Sequence, residues 1–306
     1  MPEVSLAARL AAAKARSGLS VSVCLPARDE EATVGHTVAT VRRTLMEHVQ
    51  LVDEVIVIDD GSTDATAEAA AWEGALVYGS ADILADLPAG TGKGNALWKS
   101  LYVSNGDLVV WLDADVWNFG SHFVTRLLEP LLTDPQIGFV KGYYRRPLFG
   151  DPTGGGRVTE LMARPVLSTL FPELTAFVQP LAGEYAGRRT LLEAVPFVQG
   201  WGVEIGLLID LAERYGNDIF AQADLGVREH RNRPLDQLSP QAMAVLLTAL
   251  RRAGIPEERL GHSLVRYGVD KELEVVEVET RPDPGNRRGG HGSRPGKESS
   301  VGRTGF

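Results

Sequence analysis

Two carboxylates that stand one residue apart, Asp113 and Asp115, directly follow an apolar run at residues 108–112. Successive side chains of an extended strand alternate between its two faces, so both acids would point to the same side. Ligands of open α/β sheets bind at the carboxyl ends of the strands. Oxygen ligands at that edge suit Mg²⁺ or Mn²⁺ carrying a diphosphate. Because aspartate is also common in turns, the pair alone leaves an acidic turn equally open.

A glycine-rich segment, AGTGKGNA at residues 89–96, is a first candidate for binding an anion. It does not match the P-loop, because Leu87 and Gly94 stand where that pattern needs glycine and serine or threonine. It does not match the dinucleotide pattern either, because Asn95 stands at the last glycine. What remains is Lys93 near a predicted helix start, where a cation and free backbone amides favour an anion. A flexible turn with a solvated lysine is the alternative.

A second glycine-rich segment, TGGGRVTE at residues 153–160, leads into a predicted helix. Its glycines let the backbone approach a ligand closely. Arg157 and Thr159 lie in the first helical turn, where unpaired amides point outward. The segment therefore favours a phosphate or a carboxylate, and a mobile linker is the alternative reading.

Two further residues stand out by their surroundings. His230, in the basic stretch REHRNRP at residues 228–234, could complete a metal site with Asp115, although a lone histidine is more often structural. Glu204 begins an apolar stretch, GVEIGLLIDL, in which an acid needs a partner or a function. Its alternative role is to interact favourably with the dipole of the helix that it begins.

The elements that must position these residues alternate between strand and helix, which predicts an α/β fold with a mostly parallel sheet flanked by helices. Apolar runs predict strands at residues 21–26, 54–59, 75–78, 108–112 and 137–142. Helical patterns lie at residues 31–48, 61–74, 94–104, 122–133, 158–170, 188–194 and 203–215. The segment ELEVVEVET alternates apolar and acidic residues, which predicts a half-buried strand at a sheet edge or a subunit interface.

Composition divides the chain into four regions and excludes several classes of protein. We expect an N-terminal helix at 1–20, a first half at 21–142, a second half with the C-terminal strand at 143–280, and a disordered tail at 281–306. The 306 residues carry a net charge of −9, which argues against nucleic-acid binding. Cys24 is the one cysteine, so no intrachain disulfide forms, as expected of a cytoplasmic protein. We find neither a signal peptide nor an apolar run long enough to cross a membrane.

Together these motifs resemble those of GT-A glycosyltransferases, whose fold is Rossmann-like. The shared strings are VCLPARDEEATV, VIDDGSTDAT and VVWLDADVW. Strings of the second half narrow the resemblance to the glucosyl-3-phosphoglycerate synthases of actinobacteria: VKGYYRRPL, TGGGRVTELMARP, QPLAGEYAGRR, GWGVEIGLLIDL and LGVREHRNRPLDQL. The resemblance covers about residues 20–255. It implies a metal-dependent transfer of glucose from a nucleotide-glucose to 3-phosphoglycerate, with retention of configuration. UDP-glucose is the first expected donor, and the enzyme would be a cytoplasmic homodimer.

The resemblance also implies roles for individual residues. The nucleotide-sugar would be bound by Pro26, Ala27, Arg28, Asp29, Glu30, Asp60, Lys93, Asp113, Ala114, Trp201, Gly202, Val203 and Glu204. The acceptor would be bound by Gly156, Arg157, Val158, Thr159 and Asn232. Asp115 and His230 would hold the metal, Mg²⁺ or Mn²⁺. Catalysis would involve Glu204, Lys93 and the backbone carbonyl near Leu181.

Two departures from the family pattern leave alternatives open. The chain has PARDEE where mycobacterial members have a sequence like PALNEE, and it has Asp60 where they have serine. Both positions belong to the expected nucleotide pocket, so a GDP-linked donor stays open. A mannosyl-3-phosphoglycerate synthase using GDP-mannose is the runner-up. A non-catalytic nucleotide-sugar sensor and a lipid-phosphate glycosyltransferase are the competing classes, and the absence of a predicted membrane anchor argues against the latter.

Overall fold

The computed structural model describes residues 2–88, 90, 92–147, 155–230, 234–267 and 272–278. The strands are β1 Val21–Ala27, β2 Glu54–Asp59, β3 Leu76–Gly79, β4 Leu108–Trp111, β5 Phe139–Arg145, β6 Tyr185–Arg188, β7 Phe220–Val227, β8 Ser263–Tyr267 and β9 Leu273–Glu277. The helices are α1 Pro2–Ser17, α2 Val34–Val41, α3 Thr66–Trp72, α4 Gly92–Val103, α5 His122–Thr133, α6 Arg164–Leu170, α7 Arg189–Leu192, α8 Val203–Tyr215 and α9 Leu235–Arg252. A π-helical segment, Arg42–His48, continues α2, and another, Thr159–Ala163, leads into α6.

Seven strands form one mixed, mostly parallel sheet in the order β3-β2-β1-β4-β6-β5-β7. The chain runs outward from β1 through β2 to β3 and then returns to place β4 on the other side of β1. This reversal is a topological switch point, where the loops after two adjacent parallel strands diverge and leave a crevice. The loop after β4 carries Asp113 and Asp115, and the loop after β1 begins with Arg28. The crevice therefore lies between the two segments on which the sequence motifs stand.

The sheet is buried on both faces because its central strands are apolar at nearly every position. Alternate residues of one strand join different cores: Val23 packs with the cluster that contains α2 and α5, whereas Cys24 packs with the cluster that contains α4 and α8. Parallel strands covered by helices on both sides need such continuous apolar runs. The GT-A-like α/β architecture expected from the sequence is confirmed.

Two strands of this sheet are not among those predicted. Strand β6 lies antiparallel between β4 and β5, and its last residue, Arg188, falls where the sequence predicts a helix. Strand β7 forms the edge beside β5. Both come from the second half of the chain, so the two halves share one sheet. The expected C-terminal strand is β9, which pairs with β8 in a separate hairpin.

In the described parts of the chain, no helix combines the length and apolar character needed to cross a bilayer.

Candidate active site

A cavity of about 570 Å³ opens at the carboxyl ends of β1 and β4. Most of the residues expected to bind donor, acceptor or metal line it, although they come from eight separate segments. These are Pro26, Ala27, Arg28, Asp29, Glu30, Asp60, Lys93, Asp113, Ala114, Asp115, Gly156, Arg157, Val158, Thr159, Leu181, Trp201, Glu204 and His230. Gly202 and Val203 are buried behind this wall, and Asn232 falls outside the described residues.

The end of β1 is held to the loop after β2 through Asp29. This residue adopts a positive φ of 54°. Its backbone amide donates to Ser62 Oγ at 3.0 Å, and its carboxylate accepts from the Thr63 amide at 2.7 Å. Aspartate tolerates the left-handed region better than most residues because its short side chain can bond locally. The donor side of the cavity is therefore a pair of loops fastened to each other.

Asp60, one of the two departures from the family pattern, lies on this donor side. Its Oδ2 accepts a hydrogen bond from the Gly92 amide at 3.1 Å, which joins the loop after β2 to the start of α4. Burial raises the pKa of the Asp60 carboxyl above its ordinary value, although the bonds from Ser80 and Gly92 oppose the rise. The Asp60 carboxylate is thus less solvated than the carboxylate of a surface acid.

The two carboxylates of the D-x-D motif share one guanidinium. Arg228 Nη2 donates to Asp113 Oδ2 at 2.9 Å and to Asp115 Oδ1 at 2.6 Å, while its Nε donates to Glu184 Oε1 at 2.7 Å. Arg228 follows β7 directly and is only 2% exposed. Burial alone would lower its pKa, but the carboxylates around it raise the pKa well above the ordinary value. Both acids thus face one guanidinium, although β4 ends at Trp111 and a turn, not an extended strand, carries them there.

Lys93 connects this motif to α8. Its Nζ forms one ion pair with Asp113 and another with Glu204 Oε1 at 2.8 Å. Burial raises the pKa of Asp113, but the charges of Lys93 and Arg228 outweigh it and hold the pKa below its usual range. Burial lowers the pKa of Lys93, and the charges of Asp113 and Glu204 reverse that, so the lysine stays protonated. Glu204, an acid that needs a partner in its apolar stretch, is therefore paired with a cation that is held in place.

Asp115 and His230 suit a divalent cation that is shared with a phosphate. An antiparallel bridge between Val116 and His230, with the Trp117 amide donating to the Glu229 carbonyl at 2.8 Å, brings their segments together. Among the described residues, no group of three or more acidic, histidine or cysteine side chains could hold a metal by itself. Mg²⁺ in nucleotide sites usually takes one or two protein ligands and completes its shell with phosphate and water. One carboxylate and one imidazole fit that need, and Mn²⁺ accepts the same set.

The glycine-rich loop at residues 155–159 forms the cavity wall at the amino-terminal end of the helical segment that follows it. Gly156 has a φ of 78°, in the left-handed region that favours glycine. Its carbonyl accepts from the Glu160 amide at 3.0 Å, which begins the following helical turn. Arg157 and Thr159 line the cavity there. An anionic group at this end would meet a cation, a hydroxyl and the first turn of a helix.

Several lining residues carried no expectation from the sequence: Gly92, Ala96, Arg146, Arg228, Leu238, Gln241 and Val245. Arg228 had a signal, because it stands two residues before His230 in the basic stretch. Arg146 had a weaker signal, because it forms a pair of adjacent arginines with Arg145 at the end of β5. Leu238, Gln241 and Val245 belong to α9, which reaches the cavity only through tertiary packing.

Comparison with known proteins agrees with this architecture at the level of the fold and of the whole chain. Residues 22–164 match the model of the family described as Glycosyl transferase family 2. A glucosyl-3-phosphoglycerate synthase of Mycolicibacterium paratuberculosis is 51% identical over 261 residues, covering 83% of this chain and 78% of its own. One from Petrotoga mobilis is 47% identical over 243 residues, covering 78% and 75%.

Solved structures give the same result. The glucosyl-3-phosphoglycerate synthase of Mycobacterium tuberculosis in complex with Mn²⁺, UDP-glucose and phosphoglyceric acid aligns with a TM-score of 0.82 and 46% identity. The alignment covers 90% of this chain and 92% of the other. A second structure of that enzyme holds Mn²⁺, UDP and glucosyl-3-phosphoglycerate, again with a TM-score of 0.82.

The fold and the cavity at the switch point define an enzyme of the GT-A glycosyltransferase class. Identity near 50% over about four-fifths of the sequence makes the assignment narrower. The chain belongs to the glucosyl-3-phosphoglycerate synthase family.

Proposed function

We propose that this protein transfers glucose from UDP-glucose to the hydroxyl of 3-phosphoglycerate and forms glucosyl-3-phosphoglycerate. The observation that carries the proposal is one cavity that brings both sets of expected residues together. The D-x-D carboxylates with Lys93 belong to the donor set, and Arg157 and Thr159 belong to the acceptor set. The related enzyme of Mycobacterium tuberculosis has been captured with both substrates and Mn²⁺. The curated relatives at about 50% identity are glucosyl enzymes, so the mannosyl alternative is not favoured.

In this proposal Asp115 and His230 hold the metal, and Lys93 holds the diphosphate region. The metal supplies positive charge to the diphosphate as it departs. The bond between the anomeric carbon and the diphosphate oxygen breaks, and a bond from that carbon to the acceptor oxygen forms. The acceptor proton passes to the departing diphosphate, so no enzyme base is consumed. Fixed cations at the leaving group stabilise charge where it develops, commonly the largest contribution to catalysis.

Glu204 and Leu181 belong to the sugar and acceptor positions. Glu204 is 5% exposed and fixed by Lys93 at 2.8 Å, so its carboxylate is positioned to accept hydrogen bonds from sugar hydroxyls. Leu181 lines the cavity, and its carbonyl would orient the attacking acceptor hydroxyl. Attack from the face of the departing diphosphate retains the α-configuration of glucose. The cavity then needs no enzyme nucleophile.

A parallel assay of four donors tests this function. Purified protein, Mg²⁺ and 3-phosphoglycerate are incubated separately with UDP-glucose, GDP-glucose, UDP-mannose and GDP-mannose, with and without EDTA. We expect UDP-glucose to give the highest kcat/KM and EDTA to abolish turnover. A preference for GDP-mannose would move the protein to the mannosyl runner-up. Tight nucleotide-sugar binding without turnover would favour the sensor.

The roles of the two halves, the cellular location, the oligomeric state and the partners belong to the same proposal. The first half, 21–142, binds the donor and the second, 143–280, binds the acceptor, after an N-terminal helix at 1–20 and before the tail at 281–306. The protein works in the cytoplasm, which its single cysteine, Cys24, supports. It forms a homodimer, supported by apolar side chains that are about half exposed on one face of the β8–β9 hairpin: Val265, Leu273 and Val275. It needs neither nucleic acid nor membrane.

A further inference from the structure

Arg146 is a cation of the cavity wall that no motif of the donor or acceptor explains. It follows β5 directly and lines the same cavity as Arg157. Its Nη2 donates to the Tyr144 hydroxyl at 2.5 Å, and its guanidinium carbon lies 4.9 Å from the centre of the Tyr144 ring. Tyr144 is itself only 3% exposed, so it provides a rigid support. The guanidinium is thus held in place before any substrate arrives.

The guanidinium of Arg146 still has donors to offer. Its Nε is buried and has no hydrogen-bond partner within the part of the chain that the structure describes. A buried donor left unpaired is costly, so such groups usually meet a ligand or an ordered partner. Arginine presents its donors in a planar fork that matches a carboxylate or a phosphate. An anion entering the cavity would satisfy this fork.

Arg146 is also fastened to the glycine-rich loop. The Gly155 amide donates to the Arg146 carbonyl at 3.0 Å. A Cβ added at Gly155 would lie 2.4 Å from Arg146 Cβ, so only glycine allows this approach. The loop continues through Gly156 to Arg157 and Thr159. The two arginines therefore line the same cavity from two segments that are bonded to each other.

We propose that Arg146 is a specificity-determining residue that binds the carboxylate of the acceptor, while Arg157 and Thr159 bind its phosphate. This inference rests on the proposed function. The acceptor carries two anionic groups separated by the carbon that bears the reacting hydroxyl. A cation for each group fixes that hydroxyl between them, whereas one cation would leave the molecule free to pivot. An analogue with one anionic group should then depend on one arginine only.

The test compares two variants against three acceptor-site ligands. KM is measured for 3-phosphoglycerate, and inhibition constants against it are measured for racemic glycerol 3-phosphate, which lacks the carboxylate, and for D-glycerate, which lacks the phosphate. We expect Arg146→Met to raise KM for 3-phosphoglycerate and Ki for D-glycerate by roughly 10- to 100-fold, the loss of a charge-assisted hydrogen bond. Its Ki for glycerol 3-phosphate should change by less than about 3-fold, an effect below ~0.7 kcal/mol. Arg157→Met is the matched control and should instead raise Ki for glycerol 3-phosphate.

Two milder variants separate this role from a general loss of packing. Arg146→Lys keeps the charge without the fork, and Tyr144→Phe removes only the hydroxyl that holds the fork. Each should raise KM for 3-phosphoglycerate by a smaller factor and leave KM for UDP-glucose unchanged. The inference would be overturned if Arg146→Met weakened the binding of glycerol 3-phosphate and of 3-phosphoglycerate equally, or weakened the binding of neither. Absence of transfer to 3-phosphoglycerate by the unaltered protein would instead overturn the proposed function.

Discussion

In the proposed mechanism, Lys93 takes part in both donor binding and catalysis. It contacts Asp113 from the D-x-D segment and Glu204 from the start of α8, and its side chain is 11% exposed. Arg228 shares Asp113 with Lys93, so the cations and carboxylates of this cluster largely pair with one another. A diphosphate needs positive charge, so in the proposed mechanism the metal would act on it together with Lys93. Sequence reasoning found the lysine through the glycines around it, although neither phosphate-loop pattern fitted.

Replacing this lysine tests its role in the reaction. We expect Lys93→Met to lower kcat by about 10²–10³, the usual effect of removing one group that stabilises developing charge. Lys99→Met is the control, because Lys99 is buried on the same helix, donates to the Ser80 carbonyl at 2.6 Å and does not line the cavity. Steady-state kinetics at saturating UDP-glucose distinguish them. Equal losses in both variants would mean that packing of α4, and not charge at the diphosphate, explains the effect.

Lys141 gives a prediction about pH. It is 1% exposed, its Nζ lies 4.2 Å from the centre of the Tyr185 ring, and no hydrogen-bond partner for it is present in the described ranges. Burial lowers its pKa from 10.5 to about 7. The charged groups that act on it are Glu204, Lys93, Glu184 and Asp113. Because this pKa is depressed, the unfolded chain binds more protons between about pH 7 and 10.5, so this residue destabilises the fold most below that window.

Substitution by an uncharged side chain of similar length should remove this dependence. We expect Lys141→Met to gain stability relative to the unaltered protein near pH 7, and the difference to shrink by roughly 1 kcal/mol per pH unit towards pH 10. Urea unfolding of both proteins at pH 7 and 9.5 measures it. The other titrating groups are common to both proteins and cancel in the difference. A stability difference that stays constant with pH would contradict the lowered pKa.

At the scale of the elements, the predictable part was the part with a simple period. Apolar runs located β1, β2 and β4, whose burial on both faces leaves a continuous signal. Strand β6 was missed because Tyr-Ala-Gly-Arg has little strand propensity, and its conformation comes from hydrogen bonds to β4 and β5. Helix α9 was not anticipated either, and its contribution to the cavity depends on packing that no local pattern encodes.

The contact between α4 and the segment before α8 positions Lys93 beside Glu204, and Gly94 makes it possible. A Cβ at Gly94 would lie 1.7 Å from the Val198 carbonyl oxygen, a backbone atom that cannot move aside easily. We expect Gly94→Ala to lower the free energy of unfolding by about 3 kcal/mol or more, at or above the usual cost of overpacking.

A second helical glycine gives the control for this substitution. At Gly35, on α2, the nearest atom to an added Cβ is 3.5 Å away, an ordinary contact. Gly35→Ala should change the free energy of unfolding by less than about 1 kcal/mol, in the stabilising direction, because alanine favours helices. Chemical denaturation reports both values. Similar stability of the two variants would show that the α4 contact is looser than described.

At the scale of the whole molecule, charge is distributed unevenly. The chain carries −9 overall, whereas the charges that line the cavity nearly balance. Its five cations are Arg28, Lys93, Arg146, Arg157 and Arg228, and its six acids are Asp29, Glu30, Asp60, Asp113, Asp115 and Glu204. The sequence could indicate the basic stretches but not that they face one space. That information resides in the sheet order, which brings the loops after β1, β4 and β7 to the same edge.

The hairpin of β8 and β9 gives a prediction about assembly. Val265 and Val275 are cross-strand partners, 55% and 50% exposed, on a face that a second copy could cover. We expect sedimentation velocity to give a dimer, and Val275→Lys to shift it towards monomer. Trp72→Lys, an equally drastic change at an 87% exposed residue of α3, is the control and should leave the dimer intact. A monomer at micromolar concentrations of the unaltered protein would refute the homodimer.

The proposed reaction is the transfer of glucose to 3-phosphoglycerate in one cavity, with retention of the α-configuration of glucose. Proton NMR of the product formed from UDP-glucose, Mg²⁺ and 3-phosphoglycerate tests it most directly, because the anomeric signal reports both the new bond and its configuration. We expect an α-linked glucosyl-3-phosphoglycerate and one equivalent of UDP. A β-linked product, or UDP released with free glucose and unmodified acceptor, would contradict it.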